Sequence, residues 1–353
     1  MARKKANKPV NLALQGGGAH GAVTWGVLDR LLEDDRIDID SISGTSAGAI
    51  NAVALAYGLH LDGCAGARAK LDELWAAVSH AGDLFSPIKR TPMEAFFGEF
   101  NLDKSLSYHA FETLTRTFSP YQLNPFDINP LRDVLDSCID FERLRKCTNI
   151  NLYLNATNVR TGKVRVFGTD EVSLDVVGAS TCLPFLYKAV EIDGDHFWDG
   201  GYMGNPVLFP FIYKAKSSDV VVVHVNPISR DEVPTQSADI MNRINEISFN
   251  SSLLREFRAI NFVHKLIDDD WIKDEHKDKL RSVRVHSIRS DHEMADLSVA
   301  SKFNVEWEFL LDLKQRGRQI AEQWLEENFD HIGKKSSVNL PSVFDSNVTD
   351  DEF

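Results

Sequence analysis

The feature that most constrains this chain is the pentad Gly44-Thr45-Ser46-Ala47-Gly48, set between a strand pattern and an Ala-rich helical one. Residues 38–42 read as a short strand, and 47–57, rich in Ala, Leu and Ile, read as a buried helix. A serine between glycines at a strand-to-helix turn has its hydroxyl presented at the end of a sheet, as a nucleophile elbow requires. The glycines permit close backbone approach. The helix that follows turns its N-terminal N–H groups towards any developing anion. The plainer alternative is a helix start at which Ser46 is only the N-cap.

A similar unit lies upstream. Residues 10–14 read as a buried strand, 15–21 as a glycine-rich loop, and 22–34 as a helix with Val23, Val27, Leu28, Leu31 and Leu32 at helical spacing. Gly16-x-Gly18-x-x-Gly21 formally matches a dinucleotide fingerprint, with Asp38 or Asp40 about 20 residues on. Consecutive glycines also let several backbone N–H groups converge on one oxygen, which is the arrangement of an oxyanion hole. A plain turn needs fewer glycines. The oxyanion reading is preferred, because the next strand leads straight into the Ser46 turn.

With 353 residues, 43% of them hydrophobic, the chain can bury a large core as one domain or two. Its 39 basic and 52 acidic residues leave a formal charge of −13, which argues against nucleic acid as a partner. Cys64, Cys138, Cys147 and Cys182 form no Cys-x-x-Cys pair and read as reduced thiols of a cytoplasmic protein. Residues 1–9 are a basic tail with no signal-like apolar run behind it. No stretch approaches the ~20 apolar residues of a membrane span, so any membrane contact is expected to be peripheral. No metal or other cofactor is expected, and the oligomeric state is not encoded in any motif.

Further along, 71–78 continue the helical pattern. The segment 79–130 is rich in aromatics, among them Phe85, Phe96, Phe97, Phe111, Phe118, Tyr121 and Phe126. It reads either as a lid or acyl-chain wall or as ordinary core. Residues 131–146 read as one helix, 151–157 and 164–167 as a hairpin, and 174–180 as a short helix. A ribbon over 190–199, turning at Asp193-Gly194, delivers Asp199-Gly200-Gly201. Residues 219–225 form the clearest buried strand, with His224 inside it as a core histidine. Beyond it, 237–267 and 300–329 read as helices and 282–288 as a strand. Residues 229–333 are thus expected to be a mostly helical extension packed on the core, and 334–353 a disordered tail.

Three motifs now stand in order: the Gly16 loop, the Ser46 elbow and Asp199-Gly200-Gly201. In order and spacing they resemble the patatin-like phospholipase family. The resemblance covers about residues 10–225. It implies an α/β fold, a three-layer α/β/α sandwich with a mostly parallel sheet, whose catalytic domain spans 10–228. It implies a serine lipid acyl hydrolase of (lyso)phospholipids or related esters, with Ser46 as nucleophile and Asp199 as general base. Gly16, Gly17, Gly18 and Ala19 would form the oxyanion hole, supported by Gly21, Gly44, Gly48, Gly200 and Gly201. One position departs from the family pattern: His20 stands where Arg or Lys is usual, so that position gives no expectation of a preference for anionic substrates.

Two alternatives remain. An α/β-hydrolase would need a histidine after its acid, and the candidates are His224, His264, His276, His286, His292 and His331. A nucleotide-binding protein would use the Gly16 loop instead.

Overall fold

The computed structural model describes residues 7–86, 88–90, 100–103, 105–147, 149–273 and 281–348. Most of the basic tail, Pro92, Met93, Phe96, Phe97, His276 and the acidic end 349–353 lie outside the described residues.

The apolar runs become a central sheet. Its strands are β1 (Lys8–Leu14), β2 (Ile37–Gly44), β3 (Asn151–Asn158), β4 (Val164–Gly168), β5 (Val190–Ile192), β6 (Asp195–Asp199), β7 (Asp219–Val223) and β8 (Arg284–Ile288). The order is β5-β6-β3-β2-β1-β7-β8, with β4 hairpinned onto β3. The β1, β2, β3, β7 and β8 pairings are parallel, whereas β4, β5 and β6 pair antiparallel. Strand side chains alternate between faces. Leu12, Leu14, Val221 and Val223 enter one hydrophobic core, and Ala13, Val220 and Val222 enter the other. A parallel sheet buried on both faces needs helices on both.

On one face lie α1 (Gly21–Asp34), α2 (Ala47–Phe85) and, further on, α10 (Trp307–Asn328). Between α2 and α10 in chain order come α3 (Leu106–Thr117), α4 (Pro120–Leu123), α5 (Pro130–Cys138), α6 (Phe141–Arg145), α7 (Leu174–Ser180), α8 (Phe209–Lys214) and α9 (Ser237–Asp268). The second face is covered by α8, α9 and α11 (Leu340–Phe344), through Phe211, Leu253, Phe257 and Leu340. This is the expected three-layer sandwich.

Several local expectations are corrected. Residues 131–146 are two helices, because the Asp140 side chain accepts from Arg143 N–H and starts α6 afresh. The helix expected over 300–329 begins at Trp307. Ahead of it, a 3-10 turn ends at Phe303, and Asn304 Oδ1 accepts from Glu306 N–H at 3.1 Å. α2 is interrupted at Asp62 and Gly63. β7 ends at Val223, so His224 lies just beyond it, buried, with Nε2 3.1 Å from Ser287 Oγ. Residues 229–333 do more than pack on the core, since they supply the edge strand β8 and feed both hydrophobic cores. Residues 334–348, expected to be disordered, are docked: Ser337 N–H donates to the Val285 carbonyl at 3.1 Å and Leu340 is buried.

Candidate active site

β3 explains why Ser46 and Asp199 meet. β2 runs parallel to the first half of β3 and ends with Gly44 opposite Leu154. β6 runs antiparallel to the second half and ends with Asp199 opposite Ala156. The two strands therefore finish facing one another along β3, and the turns that leave them converge.

Ser46 has φ 55° and ψ −122°, a left-handed conformation unusual for a side-chain-bearing residue. Such strain costs on the order of 1–3 kcal/mol and persists only where the surroundings enforce it. Enforcement is visible on both sides. Ser46 N–H donates to Ser180 Oγ at 3.0 Å. Gly48 packs so closely on the Leu14 carbonyl that no Cβ would fit. Thr45 Oγ1 lies 2.5 Å from Asn155 Oδ1 and 2.9 Å from the Gly204 carbonyl. Asn155 Nδ2 in turn donates to the carbonyls of Gly200 at 3.1 Å and Gly204 at 3.0 Å. Asn155, fully buried, thus ties the serine turn to the aspartate turn; as a polar residue inside a strand it carried no motif.

Asp199 is 1% exposed. Its N–H donates to the Cys182 carbonyl at 2.8 Å, its carbonyl accepts from Thr157 Oγ1 at 2.9 Å, and Oδ1 accepts from Gly201 N–H at 2.7 Å. Oδ2 is buried and completes no hydrogen bond. Burial raises the carboxyl pKa to about 6, while the nearby Ser46 hydroxyl and the Gly201 N–H favour the charged form. Ser46 and Asp199 are close enough to interact without completing a full hydrogen bond.

The glycine loop divides. Gly16 N–H donates to Asn205 Oδ1 at 2.7 Å and its carbonyl accepts from Asn226 Nδ2 at 2.8 Å, so Gly16 is an anchor with no free donor. This corrects its expected place among the oxyanion donors. Gly17, Gly18 and Ala19 line the cavity that holds Ser46 and Asp199. Gly18 and Ala19 open a 3-10 turn, where N–H groups have no acceptor within the turn. Gly18 has φ 61°, and a Cβ there would stand 2.7 Å from the Lys302 carbonyl, so only glycine fits. Gln15 holds the loop from behind: Oε1 accepts from Val225 and Asn226 N–H, both at 2.8 Å, and Nε2 donates to Asn250 Oδ1 at 2.8 Å. Among the supporting glycines, Gly21 opens α1, Gly44 ends β2, and Gly200 and Gly201 form the turn after Asp199. His20 is buried, with Nε2 2.7 Å from Ser301 Oγ. Burial holds its pKa well below the usual value, so the ring is neutral.

The cavity has a volume of about 390 Å³. Its wall is mostly apolar and includes Ile50, Trp75, Phe85, Ile88, Phe111, Leu131 and Leu183. Asn245, Phe249, Lys302 and Phe303 close it from beyond residue 228. Phe118, Tyr121 and Phe126 of the aromatic segment are exposed instead. Among the described residues no histidine lines this cavity. His264 bonds the Val283 carbonyl at 2.8 Å, and His286 bonds Asp219 Oδ1 at 3.0 Å. Also among the described residues, no cluster of three His, Cys, Asp or Glu side chains could hold a metal, and no helix is long and apolar enough to cross a membrane.

An uncharacterized protein, R571, of Acanthamoeba polyphaga mimivirus is 25% identical over 203 residues, or 54% of this chain and 57% of that protein. The chain thus spans little more than half the length of this curated relative. Among solved structures, VipD from Legionella pneumophila aligns with a TM-score of 0.42 and 14% identity, over 92% of this chain and 72% of its own. The heterodimeric complex ExoU-SpcU of the type III secretion system of Pseudomonas aeruginosa aligns with a TM-score of 0.39 and 16% identity, over 92% of this chain and 53% of that chain. The profile of the patatin-like phospholipase family matches residues 12–212. The chain belongs to the patatin-like phospholipase family.

Proposed function

We propose that this protein hydrolyses carboxylic acyl esters of lipids, with Ser46 as nucleophile, Asp199 as general base, and the N–H groups of Gly17, Gly18 and Ala19 as oxyanion donors. The observation that carries this reading is the buried, unpartnered Oδ2 of Asp199, beside a strained serine in an apolar cavity. A carboxyl raised to about 6 is still ionised at neutral pH, yet basic enough to take a proton.

Asp199 accepts the Ser46 proton as Oγ attacks the ester carbonyl carbon. The tetrahedral oxyanion is stabilised by the loop N–H groups. As the C–O bond to the alcohol breaks, Asp199 returns the proton to the leaving oxygen, and the acyl group remains as an ester on Ser46. Water, deprotonated by Asp199, attacks that ester, and Ser46 recovers its proton as the free acid departs. No histidine is required. The Ser-Asp-His alternative is disfavoured by the positions of the described histidines, and the nucleotide alternative by the loop's opening onto the same cavity as Ser46.

We assign the catalytic machinery to 10–228, with the 79–130 segment as an acyl-chain wall and 229–333 completing the cavity. Exposed apolar side chains, Leu84, Phe85, Leu106, Phe126 and Phe185 among them, support peripheral contact with a lipid surface. Phe85 is both exposed and part of the cavity wall.

A fluorophosphonate should label Ser46. Ser46→Ala and Asp199→Asn should each reduce hydrolysis of a medium-chain p-nitrophenyl ester by roughly 10³-fold or more. Undiminished turnover in a folded variant of either kind would sink the dyad.

A further inference from the structure

Among the described residues, one cation lines the catalytic cavity: Lys302. It lies well outside the family-matched segment, in the 3-10 turn Ala300–Phe303, and its backbone is pressed against Gly18 of the glycine loop. Its Nζ donates to Asn226 Oδ1 at 2.8 Å and to Asn245 Oδ1 at 2.9 Å. The Phe249 ring centroid is 5.4 Å away. Both hydrogen-bond partners are neutral amides, and among the described residues no carboxylate pairs with this ammonium. Glu246, the acid that acts on it electrostatically, is held by Arg230 and Arg243.

An ammonium has three donors, and two are used here. Burying a charge without a counter-ion is costly, so a lysine with a purely structural role is normally paired or reaches water. Lys302 does neither fully: it is half-buried in a mostly apolar cavity beside a nucleophile and its base. Asn226, which holds Nζ, also holds the Gly16 carbonyl, so the cation is fixed relative to the glycine loop. What this arrangement lacks is an anion, and the substrate is the component that can bring one.

We propose that Lys302 is a substrate-recognition residue that binds the phosphate of a phosphate-bearing lipid while its ester carbonyl lies at Ser46. This rests on the hydrolase reading above. Burial lowers the Lys302 pKa to about 8, with Arg230 adding to the effect and Glu246 opposing it, so the ammonium remains charged at neutral pH. The side chain at position 20 takes no part, because His20 is neutral and bonded to Ser301 away from the cavity lining.

The test uses non-hydrolysable alkyl ether lipids of equal chain length below their critical micelle concentrations, one ending in phosphocholine and one in glycerol. The full-length protein should bind the phosphate ether at least about tenfold more tightly, a preference lost in Lys302→Met and kept in Lys302→Arg. Should Lys302→Met melt below the assay temperature, Lys302→Gln carries the same reading. Equal binding of both ethers, or a preference that survives loss of the charge, overturns the proposal. Inorganic phosphate at about ten millimolar should shift the ether affinity by less than about threefold; full displacement would mark a free-phosphate site and overturn the lipid assignment. In turnover of matched esters, the phosphate-to-neutral selectivity lost in Lys302→Met should fall on KM. An equal loss of kcat on both esters would place Lys302 at the reacting oxygen instead, and would also overturn it. Because the ethers are not cleaved, a phosphate preference without Ser46 labelling would discard the hydrolase and keep the subsite. Labelling without the preference would do the reverse.

Discussion

Two buried aspartates sit at strand ends of the same sheet and have opposite chemistry. Asp199, at the end of β6, is 1% exposed, and Asp219, at the start of β7, is 3% exposed. Burial pushes both carboxyls up. At Asp219, bonds from His286 Nε2 at 3.0 Å, Arg284 Nε at 2.9 Å and Gly333 N–H at 2.9 Å more than reverse that effect and hold the carboxyl well below its ordinary range. At Asp199 one backbone N–H and a near serine hydroxyl do not, and the pKa stays raised at about 6. Burial alone therefore does not separate the two carboxyls; what separates them is the number of partners that stabilise the charged form.

The largest test of this contrast exchanges the two sites. Asp199→Asn should abolish turnover while stabilising the fold. In the wild type the raised pKa means that stability is fully present below the unfolded-state pKa and is lost as pH rises towards 6. At pH 7 the uncharged amide removes that penalty, on the order of 3 kcal/mol. The gain should vanish near pH 4. Asp219→Asn should do the opposite. Its carboxylate contributes stability above its unfolded-state pKa, and removing it leaves Arg284 without its counter-ion. The expected loss is roughly 3 kcal/mol, with Ser46 labelling intact in the folded fraction. Urea unfolding and fluorophosphonate labelling measure both. A destabilised Asp199→Asn would break the comparison.

Next comes pH. If Asp199 is the base, kcat/KM on a neutral ester should rise about tenfold per unit up to about 6 and then level. A flat profile between roughly pH 5 and 8 would remove Asp199 from the proton transfer.

The two aspartates also differ in how readable they were. The turns at Asp199 and Ser46 are legible through Gly200-Gly201 and through Gly44 and Gly48, because a tight turn demands glycine and leaves a mark in the sequence. Strand and helix periodicity likewise carried most of the sheet, and the α7 limits were read to the residue. Gly16 was misassigned because its donor is taken by Asn205, far along the chain, and a lone amide has no signature. Asn155 was missed for the same reason. Lys302 was hidden because a helix was expected through it. In fact Asn304 breaks the helical run and leaves the lysine in a separate turn. The last residues read as disordered because they are polar, yet Ser336 and Ser337 bond β8 and His286, one step from Asp219.

That docking gives the smallest test. Ser337 Oγ lies 3.1 Å from His286 Nδ1, and His286 Nε2 bonds Asp219. Ser337→Ala removes one neutral bond from the supported aspartate's network, so the expected cost is about 1 kcal/mol in urea unfolding. Asp199 belongs to a different turn, far from this network in the sheet order, and Ser46 labelling should be unaffected. A loss of labelling would mean that the two ends of the sheet are coupled. The comparison would then concern one network rather than two independent aspartates.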